Sequence, residues 1–430
     1  MGDAGRTTYE QRSVRDAYYT NTTTQHTDAW LLLGDNAYNE GTDDEYQLSM
    51  FENMFEAKLI NTALWPTPGN HDLRNYMNPG DIAPYYDIFT TPINGESGGL
   101  ASGTEGYYSF DYANIHFISL DSYGNNRDST AGMANWLKLD LAATTQKWII
   151  AFWHHAPFSK GSNDSEGSGS EDLKNRDMRE QILPLLEKHG VDLVLGGHSH
   201  NYERSHMIHG FYKHSTTFFD NPHIVNAQNS GKKSLSEEYY KNPVHATLPD
   251  KGAVYTVVGC SGLKSNSPKW NTQTGNNLTN SIMHTSMNQY LGSMVLEINK
   301  DTLTAKFLDN NAIIRDDFTI VKDNTKNITL LMATNTSILK YAEETKPLSI
   351  FPNPTSGDIV VRYTLDKNTK VDFELIDEHG KKIEQYSLGK KSKGENEFTV
   401  NLTNKGVGLY TIYLKSDKGT FMNKVIKVNK

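Results

Sequence analysis

Two histidines, His198 and His200, stand one residue apart directly after the glycine pair Gly196-Gly197. Ahead of them runs Val191-Asp192-Leu193-Val194-Leu195, short and β-branched enough to be a buried strand. Both imidazoles therefore fall on the turn at a strand's C-terminal end, where α/β folds gather their sites. Four further stretches share that placement: Asp3; Asp35 with Tyr38; Asn70 with His71; and the neighbours His154 and His155. Carboxylate, phenol, amide oxygen and imidazole make a mixed donor set suited to hard or borderline metal ions. Asp3, Asp35, Tyr38, Asn70, one of the His154-His155 pair, His198 and His200 are too many donors for one ion, so a dinuclear centre with one bridging carboxylate is the economical reading. Two ions about 3.5 to 4 Å apart clamp both oxygens of an in-line phosphoryl displacement.

Each donor also has a plainer reading. In a chain with 15 histidines a His-x-His pair can be incidental. Tyr38 can be a core aromatic, Asn70 a turn residue held by local hydrogen bonds, His71 a solvated loop histidine and Asp3 a polar residue at a terminus. What favours chemistry is the recurrence of one placement.

The elements that must position these residues follow from periodicity. Trp30-Leu31-Leu32-Leu33 and Trp148-Ile149-Ile150-Ala151-Phe152-Trp153 read as buried strands, and Ala63 to Pro68 as a short extended segment. Residues 10 to 28 are a polar candidate helix, and 43 to 59 carry Tyr46, Met50, Phe51, Met54 and Phe55 at helical spacing, read as a core face. Further helices are expected around Met133 to Ala142 and Asp177 to His189. Hairpins are expected around Ala113-Asn114 and Asn299-Lys300-Asp301. Residues 73 to 106 and 161 to 170 read as loops.

Length and charge narrow the function classes. A chain of 430 residues exceeds one ordinary domain, and no apolar run approaches the roughly 18 residues of a membrane span, so an integral membrane protein is not expected. Residues 346–430 hold 15 Lys/Arg and 10 Asp/Glu, so the chain's net charge of -9 concentrates to -14 over residues 1–345. An acidic body lacks the basic surface that nucleic acid requires, and phosphate chemistry on it calls for metal ions. The lone Cys260 excludes an intrachain disulfide and a cysteine-rich zinc site.

Gly-Asp-x-Gly at 2–5, Gly-Asp-x-x-Tyr at 34–38, Gly-Asn-His-Asp at 69–72, the His154-His155 segment and Gly-His-x-His-x-Tyr-Glu-Arg at 197–204 resemble, in order, the motifs of purple acid phosphatases in the calcineurin-like superfamily. The similarity spans residues 1 to about 321. It implies an α/β fold, a four-layer αββα metallophosphoesterase sandwich, and hydrolysis of phosphate monoesters by a metal-bound hydroxide. By the same resemblance Asp3, Asp35, Tyr38 and His200 hold Fe(III), whose phenolate bond gives the family its colour. Asp35, Asn70, His154 and His198 hold a divalent ion, Zn, Fe or Mn. His71 binds or protonates the ester. Counting on from Trp148 makes His154 the ligand, while counting back from Pro157 makes it His155; His154 is favoured because it directly ends the apolar strand, and His155 then lines the cleft. Tyr202, Glu203 and Arg204 are expected to support the turn with an ion pair. The loop Ser159–Asp172 departs from plant members in holding no histidine; Asn163 and Asp164 stand where such a group is expected, and leaving-group protonation is then expected from a catalytic His71 or His155 or from a metal-bound water. The resemblance also implies a strand ahead of Asp3, so the expected gene product begins further upstream. Alternatives are a phosphodiesterase or nucleotidase on the same scaffold, or a surface binding protein with impaired catalysis.

Beyond a polar linker at 322–346, residues 347–430 alternate in short expected strands, Ile359 to Thr364, Val371 to Ile376, Glu397 to Leu402, Gly408 to Lys415 and Lys424 to Val428. Several of them are separated by turns carrying Gly380, Gly394 and Gly419, the pattern of a small β-sandwich. Phe351-Pro352-Asn353-Pro354-Thr355-Ser356-Gly357, Asp377 to Lys381, Gly406 to Tyr410 and Lys424 to Val428 resemble the C-terminal sorting domain of the Bacteroidota type IX secretion system. That implies a secreted or cell-surface protein, a signal peptide in the full gene product, and the secretion machinery as a partner.

Overall fold

The computed structural model describes residues 1–322 and 348–428, except 24, 53, 79, 219–222, 227–228, 242–251, 266–281, 354, 378–380 and 417–418. Two compact units divide the chain, Met1–Asn327 and Ile328–Lys430.

In the first unit β1 (Ala29–Leu33) and β2 (Ala63–Thr67) pair in parallel. A seven-stranded sheet combines β3 (Tyr108–Tyr112), β4 (Ile115–Ser119), β5 (Trp148–His155), β6 (Leu193–Gly197), β7 (Tyr202–Ser205), β9 (Val254–Val258) and β10 (Met283–Met287). Its order is β10-β7-β9-β6-β5-β4-β3, with β4, β5, β6 and β9 parallel and antiparallel strands at the flanks. The remaining strands, β8 (Tyr239–Lys241), β11 (Gly292–Asn299), β12 (Thr302–Asp309) and β13 (Ile314–Lys322), form a sheet of order β11-β12-β13-β8.

Strand β5 shows why the layers stack. Ile149, Ala151 and Trp153 point into a core shared with the helix Gly132–Ala143 and the helical run from Ser170 to Lys188. Trp148, Ile150 and Phe152 point the other way, into a core shared with Leu303, Phe307, Phe318 and Ile320 of the second sheet. Covered on both faces, a parallel strand reads as an unbroken apolar run, as this one does. Outside the β1-β2 pair, Trp30 and Leu32 pack on Tyr46, Met50, Met54, Phe55, Tyr85 and Phe89. The helix Tyr9–Asn21 packs on β11 and β12. Helices, sheet, sheet and helices complete the four-layer αββα sandwich.

Two helical expectations change. Residues 43 to 59 bury Tyr46, Met50, Met54 and Phe55 and leave Phe51 partly buried against them, but they break into Asp43–Tyr46, a wide turn at Gln47–Phe51 and Glu56–Leu59. Ser49 gives its carbonyl to Gln11 Nε2 (2.8 Å) and its hydroxyl to the Asn36 carbonyl (3.0 Å), tying this stretch to the loop after β1. The helix expected from Asp177 starts at Ser170 and passes through a wide turn at Met178–Ile182 just before Pro184, whose missing N–H an unbroken α-helix does not accommodate.

The second unit is a β-sandwich. β14 (Ser349–Phe351), β15 (Asp358–Leu365) and β18 (Gly394–Asn401) face β16 (Thr369–Ile376), β17 (Lys382–Lys391), β19 (Gly408–Ser416) and β20 (Gly419–Lys427). Val361, Tyr363, Val371, Phe373, Leu375, Ile412 and Leu414 fill the space between the sheets. β17 was not foreseen, because it is a sheet-edge strand of exposed and half-buried residues with lysines at both ends, chemistry that protects an edge but hides the alternation. Lys322 belongs to β13; the rest of the expected linker and the turn at Gly380 lie outside the described residues.

Candidate metal centre

The site is built on turns that only a few backbone conformations allow. Asp3, Asp35 and His198 are non-glycine residues in the left-handed region, with φ of 55°, 51° and 67°. Such strain costs about 1–3 kcal/mol per residue and persists where the surroundings over-determine it, commonly at functional sites. Gly34, at φ 84°, lets the loop after β1 close on His154, since a Cβ there would lie 2.5 Å from Nδ1. At Gly69 a Cβ would lie 2.3 Å from the Asp35 amide nitrogen. Asp3 is held without an assigned strand: the Met1 amine donates to the Leu31 carbonyl (2.9 Å), Leu33 N–H to the Met1 carbonyl (2.8 Å), and Asp3 N–H to the Gly34 carbonyl (3.0 Å).

These turns bring all seven expected donors together around one residue, Asp35. Its Oδ2 accepts the Tyr38 hydroxyl at 2.8 Å, and that hydroxyl lies 3.0 Å from Asp3 Oδ1 and 3.4 Å from His200 Nε2. Asp3 Oδ1 is 3.3 Å from the same His200 nitrogen. Toward the other side, Asp35 Oδ1 is 3.4 Å from His154 Nε2, which lies 3.0 Å from Asn70 Oδ1 and 3.2 Å from His198 Nδ1. The two carboxylate oxygens of Asp35 thus face two separate donor groups: Asp3, Tyr38 and His200, then Asn70, His154 and His198.

Charge in the pocket favours a cation. Burial resists ionisation of Asp35, but the adjacent His154 and His71 outweigh it and hold the carboxyl well below its usual range. Burial lowers His154, yet Asp35 and Asp3 overcome that and pull it up to about 10. Burial and the Asp3 and Asp35 carboxylates push the Tyr38 phenol well above its ordinary value. Asp3, Asp35 and His154 are close enough for one oxygen or nitrogen of each to share an ion. Together with the amide and phenol oxygens, the donor set fits hard or borderline metals.

Of the adjacent histidines it is His154 that turns inward. Its Nδ1 donates to the Leu33 carbonyl (2.9 Å), which leaves Nε2 for the centre. The expectation that His155 lines the cleft is corrected. His155 is fully buried, with Nδ1 2.8 Å from Ser122 Oγ and Nε2 2.9 Å from Glu171 Oε2. His71 stays partly exposed; its N–H donates to Asp35 Oδ1 (2.8 Å), and Nδ1 lies 2.8 Å from the Asn39 carbonyl.

Several supports lay outside the sequence reading. Asp72 accepts from Asn36 N–H (3.0 Å), Gly69 N–H (2.7 Å) and the Tyr46 hydroxyl (2.5 Å), joining the loops after β1 and β2. Asn163 donates to the His198 carbonyl (2.7 Å) and Asp164 pairs with Lys160 (2.7 Å), so neither takes the place of a loop histidine. From the same stretch Ser162 Oγ accepts the His200 N–H (2.9 Å), and Glu171 comes close to His155 and His198. Arg204 pairs not with its neighbour Glu203 but with Asp316 (2.6 Å), which also accepts the Tyr202 hydroxyl (2.8 Å); Glu203 accepts Ser159 Oγ (2.5 Å). Neighbours on a strand point to opposite faces, so Glu203 and Arg204 hold different elements.

Comparison with known proteins places this geometry in a class. Residues 12–202 match the calcineurin-like phosphoesterase family, and residues 349–428 match the secretion system C-terminal sorting domain. The chain carries a calcineurin-like phosphoesterase domain, followed by a type IX sorting domain. Purple acid phosphatases are among its homologues. Purple acid phosphatase 15 of Arabidopsis thaliana is 32% identical over 146 residues, 33% of this chain and 25% of the relative. Purple acid phosphatase 22 of the same plant is 25% identical over 256 residues, 56% of this chain and 52% of the relative. Human acid phosphatase type 7 is 28% identical over 200 residues, 43% of this chain and 42% of the relative. The chain spans from a quarter to about half the length of these curated relatives. Among solved structures, a purple acid phosphatase from yellow lupin (Lupinus luteus) seeds shares the fold, with a TM-score of 0.51 and 18% identity over 74% of this chain and 50% of that one.

Proposed function

We propose that this protein hydrolyses phosphate monoesters outside the cell at a dinuclear centre. Asp3, Asp35, Tyr38 and His200 would hold a ferric ion; Asp35, Asn70, His154 and His198 would hold a divalent one. The observation that carries this is Asp35, whose two oxygens face two donor groups, 2.8 Å from Tyr38 Oη and 3.4 Å from His154 Nε2. When bound, such a pair of ions supplies Lewis acidity toward phosphoryl oxygens and makes a nucleophile of water near neutral pH.

The chain's own part is to orient and to move a proton. His71 is fixed at two points, its backbone on Asp35 and its Nδ1 on Asn39, so its Nε2, 3.9 Å from Asp35 Oδ2, is the nitrogen left for substrate. A bond forms between water oxygen and phosphorus as the ester bond breaks; protonated His71 gives its Nε2 proton to the leaving oxygen, and the proton released by the attacking water passes to solvent, from which His71 is reprotonated. Protonated, His71 also attracts the phosphate. His155, buried between Ser122 and Glu171, has no part in this step. The sorting-domain match supports export, and no helix among the described residues is long and apolar enough to cross a membrane.

Steady-state kinetics on 4-nitrophenyl phosphate and bis(4-nitrophenyl) phosphate test the reading. The monoester is expected to have the higher kcat/KM, and both activities to vanish on chelation. A preference for the diester would replace the phosphatase reading with the diesterase one.

A further inference from the structure

Beside the centre lies a second cluster that the motifs do not contain. The rings of His155 and His198 stand 4.3 Å apart between centroids. Glu171, from the helix Ser170–Asp177, reaches them so closely that one ligand atom from each of the three residues lies within 4.8 Å of the others. Its Oε2 is 2.9 Å from His155 Nε2, and its Oε1 is 2.9 Å from Lys174 Nζ. His198 is 6% exposed, and its Nε2 has no hydrogen-bond partner among the described residues. A buried ring nitrogen left without a partner loses the hydrogen bond that water would give it.

A third cation or a proton can occupy the space between His198 Nε2 and Glu171. His198 Nδ1 already faces the centre, 3.2 Å from His154 Nε2. A neutral imidazole has one lone pair and one N–H, so a cation on Nε2 as well would demand an imidazolate. A proton costs far less. We propose that Glu171, which makes no hydrogen bond to His198 in this structure, becomes a positioning residue for that ring when the centre is loaded: its carboxylate takes the partnerless Nε2 as a donor while gripping His155, and so fixes the tautomer that turns the Nδ1 lone pair to the centre. A carboxylate behind a ligating histidine sets ring orientation and raises ligand basicity. Lys174 balances the charge that Glu171 brings. This inference rests on reading His198 as a ligand of the divalent ion, and it assigns Glu171 to one half of the centre only.

The test uses the full chain loaded with iron and zinc, as wild type, Glu171→Ala and Glu171→Gln, with circular dichroism to check folding. Zinc affinity is read by chelator competition and the ferric half by iron content and visible absorption. Glu171→Ala is expected to hold zinc about 10–100-fold more weakly with the ferric half unchanged. Glu171→Gln, which keeps an acceptor oxygen, is expected to lose less. Zinc affinity equal to wild type in the alanine variant, or equal loss of both metals, would overturn the proposal. Should the wild type bind iron but no second ion, the ligand reading of His198 fails, and the proposal with it.

Discussion

Asp35→Asn is expected to lower kcat/KM for a phosphate monoester by about 10³-fold or more and to weaken the binding of both metal ions together. The size follows from its position. Asp35 turns one carboxylate oxygen to each donor group, Oδ2 to Tyr38 at 2.8 Å and Oδ1 to His154 at 3.4 Å. Asparagine matches its shape and keeps one carbonyl oxygen, so the turn and the bond from His71 N–H survive. What goes is the negative charge, in a buried pocket where that charge already outweighs burial enough to raise His154 to about 10. His200→Ala, by contrast, removes a donor from the Asp3 and Tyr38 group alone, and should spare the other ion. Metal analysis of both variants beside their kinetics checks the contrast. Full activity in Asp35→Asn, or loss of a single ion from it, would count against a shared carboxylate.

Asp192→Asn is expected to destabilise the first unit by about 3–5 kcal/mol. Asp192 stands just before β6, fully buried, with Oδ1 2.8 Å from Lys241 Nζ and Oδ2 2.8 Å from Lys322 Nζ; all three side chains are 0% exposed. It also accepts the Ile149 N–H at 2.9 Å, which links the start of β6 to β5. Neutralising the one carboxylate leaves two buried ammonium groups without a counter-charge. Removing one lysine leaves a balanced pair, so Lys241→Met should cost less. Burial alone would raise the Asp192 carboxyl, but Lys241 and Lys322 dominate and hold it below its ordinary range. A carboxyl lowered in the folded state stabilises fully above its unfolded value, about 3.9. That contribution fades as the pH falls through the folded value, so the gap between wild type and Asp192→Asn should be widest above pH 4 or so and should close in acid. Denaturant unfolding of the three proteins across pH checks both parts.

How much of this was legible in the sequence depends on how far apart the cooperating residues lie. Strands β1, β5 and β6 were readable because each is covered on both faces and so carries an unbroken apolar run. The seven donors were readable because each follows such a run or opens a motif at its end. Which of His154 and His155 turns inward was not settled by spacing, since both count as strand-end residues. The Leu33 carbonyl, which belongs to a distant strand, decides it. Glu171 and Ser122 carried no signal, for they become partners of His155 only when the helix after the Gly/Ser-rich loop and the loop after β4 meet over β5. Asp192 sat unremarked inside an apolar run, its lysines being far along the chain. Strand β17 escaped because an edge strand need not alternate. Charge pairs across the fold and edge chemistry are what local pattern leaves out.

A mixed-metal centre with Tyr38 bound to iron is tested most directly by metal content together with the visible spectrum of the purified chain and of Tyr38→Phe. Burial and two carboxylates hold the phenol protonated far above its ordinary range, so only a strongly Lewis-acidic ion in contact with it would displace the proton. The expected result is about two ions per chain, one of them iron, and a broad visible band that disappears in the phenylalanine variant. A chain that binds iron yet gives the same spectrum with and without the Tyr38 hydroxyl, or one that binds no metal, would contradict it.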